Sequence, residues 1–302
     1  MIATETMGMT AANAAPESLP IERDSIFTDR QGRMKPRVEK RQRKLLAKVA
    51  PFLDAFLAPE EKIRLVTTGC SPFGLLEQLT TGWIITYVKR SLFVFTDRRI
   101  LHIPTRSDYS YRNSIAQIPY DGCASIRLRG SRLTVRYRGG RKETFLYVAR
   151  AERGKIKSLL ERLSLGGAAS GVGERTHLCP SCTQPLRPDI YHCPRCFLAF
   201  KNADEARRIS LLYPGGGYFY TGHPWLGLAD AATESSLMLM TAVLLWHWAT
   251  GVKGAGAQAV VFAVILALEK VVTVYHAGHF IREFIPKEKK LTSAPVLAGG
   301  RA

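Results

Sequence analysis

Leu237-Met-Leu-Met-Thr-Ala-Val-Leu-Leu-Trp-His-Trp248 is apolar around a whole helical circumference. It lies inside a longer apolar run, Leu226 to Thr250, and a second such run follows from Ala257 to Ile281. Each run is close to the ~20 residues that cross a bilayer's hydrocarbon core as a helix. A helix on the surface of a soluble protein is apolar along one stripe only, so all-round apolarity points to lipid. The opposing reading is a buried helical pair in a soluble domain. Only Gly251-Val-Lys-Gly-Ala-Gly256 separates the runs. Such a short connection predicts a transmembrane helical hairpin over 226–281, with both chain ends on one side.

Flanking charge sets the expected orientation. Arg207 and Arg208 precede the first run, and Arg282, Lys287, Lys289 and Lys290 follow the second, whereas the loop carries only Lys253. Basic residues stay on the cytoplasmic side. The expectation is a multi-pass protein of the cell inner (cytoplasmic) membrane, with cytoplasmic N- and C-termini. Trp246 and Trp248 fall where amphipathic rings suit the far interface. Within the runs, Asp230, Glu234 and Thr241 share one helical face, as do Glu269, Thr273 and His276, and Lys270 lies near mid-span. Ionisable groups at that depth are costly and face a partner. One reading is an intramembrane polar seam of Asp230, Glu234, Glu269 and Lys270 that serves a proton or ion path or an assembly. The other is structural, with Lys270 snorkelling or pairing Glu234 across the hairpin. Two helices alone enclose no path, so transport requires an oligomer.

The hairpin is preceded by Leu212-Tyr-Pro-Gly-Gly-Gly-Tyr-Phe-Tyr-Thr-Gly-His-Pro-Trp-Leu-Gly227. No Gly-Lys-Ser/Thr follows the glycines, which excludes a phosphate-binding loop of the usual kind. Pro214, Gly215, Gly217, Tyr220 and Gly222 resemble the Pro-Gly-x-Gly-x-x-Tyr-x-Gly segment of TM2-type two-span membrane domains, over about the last 75 residues of the chain. The resemblance implies topology more than activity.

The chain has 302 residues and a formal net charge of +18. That balance favours an anionic partner, and beside a membrane hairpin anionic lipid is the economical choice. Nucleic acid is the weaker alternative. The N-terminus, Met1-Ile-Ala-Thr-Glu-Thr-Met-Gly-Met-Thr10, has no basic start and no apolar core, so no cleavable signal peptide is expected. Residues 1–35 lack periodicity and read as a disordered N-terminus. Over 36–58, Val38, Leu45, Val49, Phe52 and Phe56 recur at helical spacing, opposite Arg37, Lys40, Arg41, Arg43, Lys44 and Lys48. This basic amphipathic helix fits either an anionic membrane or the flank of a neighbouring domain. Pro51 should kink or end it.

Residues 59–165 read as a β-rich domain closed by a helix. Strand-like runs start at Ile63, Trp83, Leu92, Arg99, Ser114, Ala124, Leu133 and Glu143, and a helical pattern over Ala149–Leu163 follows. A small barrel or sandwich plugged by that helix is expected. Leu92-Phe-Val-Phe-Thr-Asp-Arg-Arg-Ile-Leu-His-Ile103, then Ile118-Pro-Tyr-Asp-Gly-Cys-Ala-Ser-Ile126, then Leu133-Thr-Val135 resemble bacterial PH-like domains, over about 100 residues. Tyr120 stands one residue farther from Ile126 than the usual pattern has it. The resemblance implies a seven-stranded PH-type fold used for binding, not an enzyme. Arg127, Arg129, Arg132, Arg136, Arg138, Arg141 and Lys142 crowd its second half, and alternation puts Arg136 and Arg138 on one strand face. They are candidates for contact with anionic lipid or another polyanion; an ordinary solvated face gives the same pattern. Cys70 and Cys123 read as buried small residues. Residues 166–176 are a linker by composition.

Cys179-Pro-Ser-Cys182 and Cys193-Pro-Arg-Cys196 are the most specific signal in the chain. Two such knuckles, ten residues apart, present four thiolates in the tetrahedral set that Zn²⁺ takes in closed structural sites. A redox dithiol pair and an iron–sulfur centre fit less well, because so small a module needs metal to fold. His177 and His192 lie alongside without being required. The segment 177–200 resembles minimal zinc ribbons, and a spacer or protein-docking role suits it. Residues 201–225 form a juxtamembrane helix and Gly/aromatic turn, and 282–302 a basic cytoplasmic tail.

The combined expectation is a multi-domain membrane protein: PH-like barrel with C-terminal helix, small zinc ribbon, and two-helix transmembrane hairpin. Without a catalytic constellation, the expected role is a bacterial, non-catalytic adaptor or scaffold. Its partners would be the membrane, another protein or a second copy, and anionic lipid. The alternative is a subunit of an oligomeric transporter or channel.

Overall fold

The computed structural model describes residues 19–163, 165, 174–188 and 190–287. In chain order the elements are α1 (Arg23–Ile26), α2 (Pro36–Leu53), β1 (Ile63–Cys70), α3 (Leu75–Thr81), α4 (Ile85–Val88), β2 (Arg90–Thr96), β3 (Arg99–Pro104), β4 (Ile115–Pro119), β5 (Cys123–Arg129), β6 (Arg132–Tyr137), β7 (Lys142–Phe145), α5 (Arg153–Glu161), β8 (Thr176–Leu178), α6 (Ala203–Leu212), α7 (Gly216–Thr221), α8 (Pro224–Ala249) and α9 (Ala255–Ile281). They divide into two compact units. The first holds the described residues up to Phe73 and from Ile84 to Pro188; the second holds Gly74–Trp83 and those from 190 to 287.

The first unit is built on antiparallel sheets. A five-stranded sheet runs in the order β1-β2-β3-β4-β8, and a three-stranded sheet in the order β5-β6-β7. The expected barrel is not closed. The far edge of β4 is occupied by β8, with Ile115 opposite Leu178 and Gln117 opposite Thr176, so β4 does not pair with β5. Among the described residues β1 and β7 form no ladder; a bridge between Cys70 and Leu146, and a bond from Ala149 N to Thr68 O at 3.0 Å, tie β1 to the chain just past β7. The larger sheet is buried on both faces, which explains its unbroken apolar runs. Phe93 and Phe95 point into one core with Leu133, Val135, Phe145 and Ile156. Leu92 and Val94 point into the other, with Leu46, Val49 and Leu53 of α2. Helix α2 therefore uses its apolar face to flank the sheet. Gln42 fixes it there, its side chain donating to Val66 O at 2.9 Å and accepting from Val66 N at 3.1 Å.

Two sequence expectations are corrected along the chain up to β2. The N-terminal segment is ordered from residue 19: Leu19, Ile26 and Phe27 are buried, and Ile21 bridges Ile63. Residues 1–18 lie outside the described residues, as do 166–173 of the expected linker. Trp83-Ile-Ile-Thr-Tyr-Val88 is not a strand. It is a 3₁₀ turn followed by α4, in an excursion between β1 and β2. A six-residue apolar run carries no period long enough to separate strand from helix.

In the second unit α8 and α9 are antiparallel neighbours, and both are long and apolar enough to cross a membrane. Most of their apolar side chains are exposed, among them Leu239, Val260, Leu268 and Val271. The expected Gly/aromatic turn is partly helical, as α7. Helix α6 starts with Asn202 Oδ1 accepting from Glu205 N at 2.7 Å. Gly215 needs a left-handed φ of 66°, and a Cβ there would stand 2.0 Å from Gly227 O. The glycines thus permit α7 to lie directly on its neighbours.

Candidate functional site

Three groupings carry candidate chemistry. In the first, the sulfur atoms of Cys179, Cys182, Cys193 and Cys196 all lie within 4.8 Å of one another. The two knuckles repeat one backbone pattern. Cys179 N donates to Gln184 O and Thr183 N to Cys179 O, both at 2.9 Å. Cys193 N donates to Leu198 O at 2.9 Å and Phe197 N to Cys193 O at 3.0 Å. Thr183 and Phe197, each just after a second cysteine, share a left-handed φ of 61° and 59°. The repeat turns all four thiols toward one point. Tetrahedral thiolates at ~2.3 Å from an ion stand ~3.8 Å apart, so the donor set fits a metal. Cys179 and Cys193 are buried and Cys182 and Cys196 half-buried. His177 and His192 are outside the cluster. His177 instead pairs with Ala116 through β8, and burial followed by the nearby Arg175 charge holds its imidazole well below the ordinary value.

The second grouping is the outer face of the three-stranded sheet. Pairing sets Arg127 opposite Thr134, Arg129 opposite Arg132 and Arg136 opposite Ser125 and Lys142. Directly opposed residues share a sheet face. Arg127, Arg129, Arg132, Arg136 and Lys142 therefore project together, all exposed, while Ile126, Leu128, Leu133 and Val135 point inward. None of the five has an acidic partner within ion-pair distance among the described residues. Arg141 differs: it bonds Glu143 at 3.1 Å and Glu174 at 2.8 Å. Arg138 is exposed in the turn between β6 and β7.

The third grouping lies between α8 and α9. Carboxylate oxygens of Asp230, Glu234 and Glu269 fall within 4.8 Å of one another, with Asp230 and Glu234 buried. Lys270 Nζ reaches Glu234 Oε2 across the hairpin at 2.7 Å and Ser210 O at 2.8 Å. Gly215 N also donates to Glu234 Oε2, at 3.1 Å. Thr273 Oγ1 lies 3.2 Å from both oxygens of Asp230. His276 extends the seam, with Nδ1 2.6 Å from Tyr218 Oη and Nε2 2.9 Å from Thr80 Oγ1. Helical spacing places Thr273 and His276 beside Glu269. Tyr218 and Thr80 had no such signal, because one comes from the Gly/aromatic segment and the other from the excursion after β1.

Compared with protein-family models, curated proteins and solved structures, the chain matches none.

Proposed function

We propose that this chain is a membrane-anchored, non-catalytic adaptor whose β-sheet unit docks on anionic lipid at the cytoplasmic face of a bacterial inner membrane. The observation that carries the reading is the five-cation face of β5, β6 and β7. Arg129 facing Arg132, and Arg136 facing Lys142, are like-charge pairs that weaken a sheet by roughly 0.2–1 kcal/mol each. A sheet shaped by stability alone would interleave acids there; a surface shaped for polyanions would not. Helices α8 and α9 supply the anchor, since their apolar side chains face outward, the reverse of a soluble core. On this reading the protein is multi-pass, and the basic flanks put both termini in the cytoplasm.

The strand order supports a PH-like domain: a four-strand meander, a three-strand meander and a closing helix follow one another as β1–β4, β5–β7 and α5. The glycine packing under α7 supports a TM2-like lead-in. Zinc is the metal that best suits four cysteines in a closed set, where it would hold the two knuckles in place. A protein partner or a second copy is the cargo such an adaptor recruits.

The test is amide hydrogen exchange on the full chain, reconstituted in vesicles with and without phosphatidylglycerol. Protection of β5–β7 that appears with anionic lipid and disappears at high salt supports the reading. Each cation near such a surface contributes about 1 kcal/mol. R127A/R136A should therefore weaken lipid-dependent protection about thirtyfold in apparent affinity. Equal exchange in both vesicles would remove the lipid role.

The clustered carboxylates favour a second reading, a subunit of an oligomeric transporter. Cation flux in proteoliposomes that E269Q abolishes would support it. Flux-free vesicles would leave the cluster as a structural seam.

A further inference from the structure

Helix α3 is inside out. Its only buried side chain is the acid Glu77, at 0% exposure, whereas Leu75, Leu76 and Leu79 are 73%, 54% and 73% exposed. Trp83, just past the left-handed Gly82, is 72% exposed. The polar groups are the ones that hold the segment to its unit. Glu77 Oε2 accepts from Gly74 N at 2.9 Å at the start of the helix itself, while Glu77 Oε1 faces α9, 3.6 Å from His279 Nε2. Thr80 Oγ1 lies 2.9 Å from His276 Nε2. In water this arrangement is backward, because burial of leucine and exposure of glutamate is the favourable choice. It becomes favourable where the surroundings are apolar.

The attachment points give the depth. His276 and His279 belong to the last turns of α9. At that end, the His223 and Phe280 rings stand 4.4 Å apart, and Thr273 meets Asp230. Helix α3 is therefore pinned level with the first turn of α8, where Trp225 is 82% exposed. From Trp225 to Trp246 at the other end, α8 rises ~32 Å at ~1.5 Å per residue, close to the thickness of a hydrocarbon core. Exposed tryptophans at both levels mark two interfaces.

We infer that Gly74–Trp83 is an interfacial segment whose leucines and Trp83 insert into the headgroup boundary of the bilayer that α8 and α9 cross, in the leaflet at the N-terminus of α8. This rests on the membrane reading of α8 and α9. The occupant is phospholipid of any headgroup, since the inserted side chains carry no charge. It is a second attachment besides the cationic sheet face, and it does not require anionic lipid.

The test uses the full chain in phosphatidylcholine vesicles and exploits its four tryptophans. W225F/W246F/W248F leaves Trp83 as the reporter, and W83F/W246F/W248F leaves Trp225. Lipids brominated high on the acyl chain quench only residues in contact with them. Both reporters should emit at shorter wavelength than exposed tryptophan, lose emission several-fold to shallow bromines and resist iodide. Where the triple replacements express poorly, the difference between wild type and W83F gives the same reading. Trp83 quenched by iodide and not by bromolipid would place it in water and overturn the inference. Protection of Trp83 from both quenchers would mean that a second copy covers it, and would overturn the inference too. In either case, bromolipid quenching of Trp225 keeps the hairpin reading intact. Loss of lipid quenching at Trp225 as well would bring down both.

Discussion

Glu61 is fully buried, yet it is held as a carboxylate by converging donors. Arg99 approaches with Nε at 3.0 Å and Nη2 at 2.7 Å, Thr96 Oγ1 at 2.7 Å, and Ala58 N at 2.8 Å. Burial pushes its carboxyl up, but the Arg99 guanidinium, the Ala58 N–H and the Thr96 hydroxyl outweigh that, and the net position is below the ordinary 4.5. The sign follows. A depressed carboxyl contributes stability that is present above the unfolded value and lost as pH falls below about 4.5. Removing one partner of a buried pair costs about 3 kcal/mol or more. E61Q should therefore lower the opening free energy of β1 and β2 amides by about 3 kcal/mol near neutrality, roughly 150-fold faster exchange. It should also flatten the loss below pH 4.5 that the wild type shows. His102 adds an earlier limb. Burial first, then the Arg175, His177 and Lys89 charges, keeps its imidazole well below 6.5, so stability should begin to fall as pH drops through 6.5 in both proteins. Equal acid profiles for wild type and E61Q below 4.5 would refute the assignment to Glu61.

Helix α7 depends on what glycine lacks. A Cβ on Gly217 would meet Ser210 Oγ of α6 at 2.2 Å and Ala277 Cβ and Thr273 Cγ2 of α9 at 3.1 Å. A Cβ on Gly278, in α9 itself, would meet no neighbouring atom of the described residues within 4 Å. G217A should thus destabilise the α6–α7–α9 packing by about 1–3 kcal/mol. G278A should be neutral or gain up to about 1 kcal/mol from helix propensity. Thermal melting of the two variants in detergent checks this, and equal melting temperatures would show that α7 shifts freely. The sequence carried the strand runs from Leu92 to Tyr137 because period-two alternation and turn glycines agree there. Both long helices were legible from length and apolarity. The excursion between β1 and β2 was not, since Trp83–Val88 has strand-like residues and its true period shows only with Leu75 and Leu79 included. The glycine-rich segment read as a turn because glycine weakens any helical signal, while its role, close approach of α6, α8 and α9, is tertiary. The four cysteines were legible from spacing alone; the attachment of the first knuckle to β4 was not, because β8 is three residues long.

At the scale of the whole chain, each cysteine knuckle is tied to elements of its own unit. The first knuckle follows directly on β8, and Leu186 N donates to His177 O at 2.8 Å, so its turn and the sheet edge share hydrogen bonds. The second knuckle leads through Phe200, which bridges Pro286, into Lys201, whose N–H donates to Ile285 O at 2.9 Å. On the metal reading, a module as small as the two knuckles would need its ion to hold a fold. On the zinc reading, purified chain should carry about one zinc and show no visible charge-transfer band, as expected of a closed d¹⁰ site. A strong chelator, or C182S/C196S, should release the metal. Exchange should then rise sharply at β8 and at Ile115–Gln117 of β4, whose partner strand is lost. The β5–β6 pairing, which touches neither knuckle, should keep its protection. Two results would count against this: iron with a visible absorbance, which would replace zinc by a cluster, and unchanged exchange at β8 after metal loss, which would make the ion dispensable for the fold. The first outcome would leave the structural role standing and change only the metal. The second would free the cysteines for redox chemistry, because a fold that does not need the ion can cycle its thiols without unfolding.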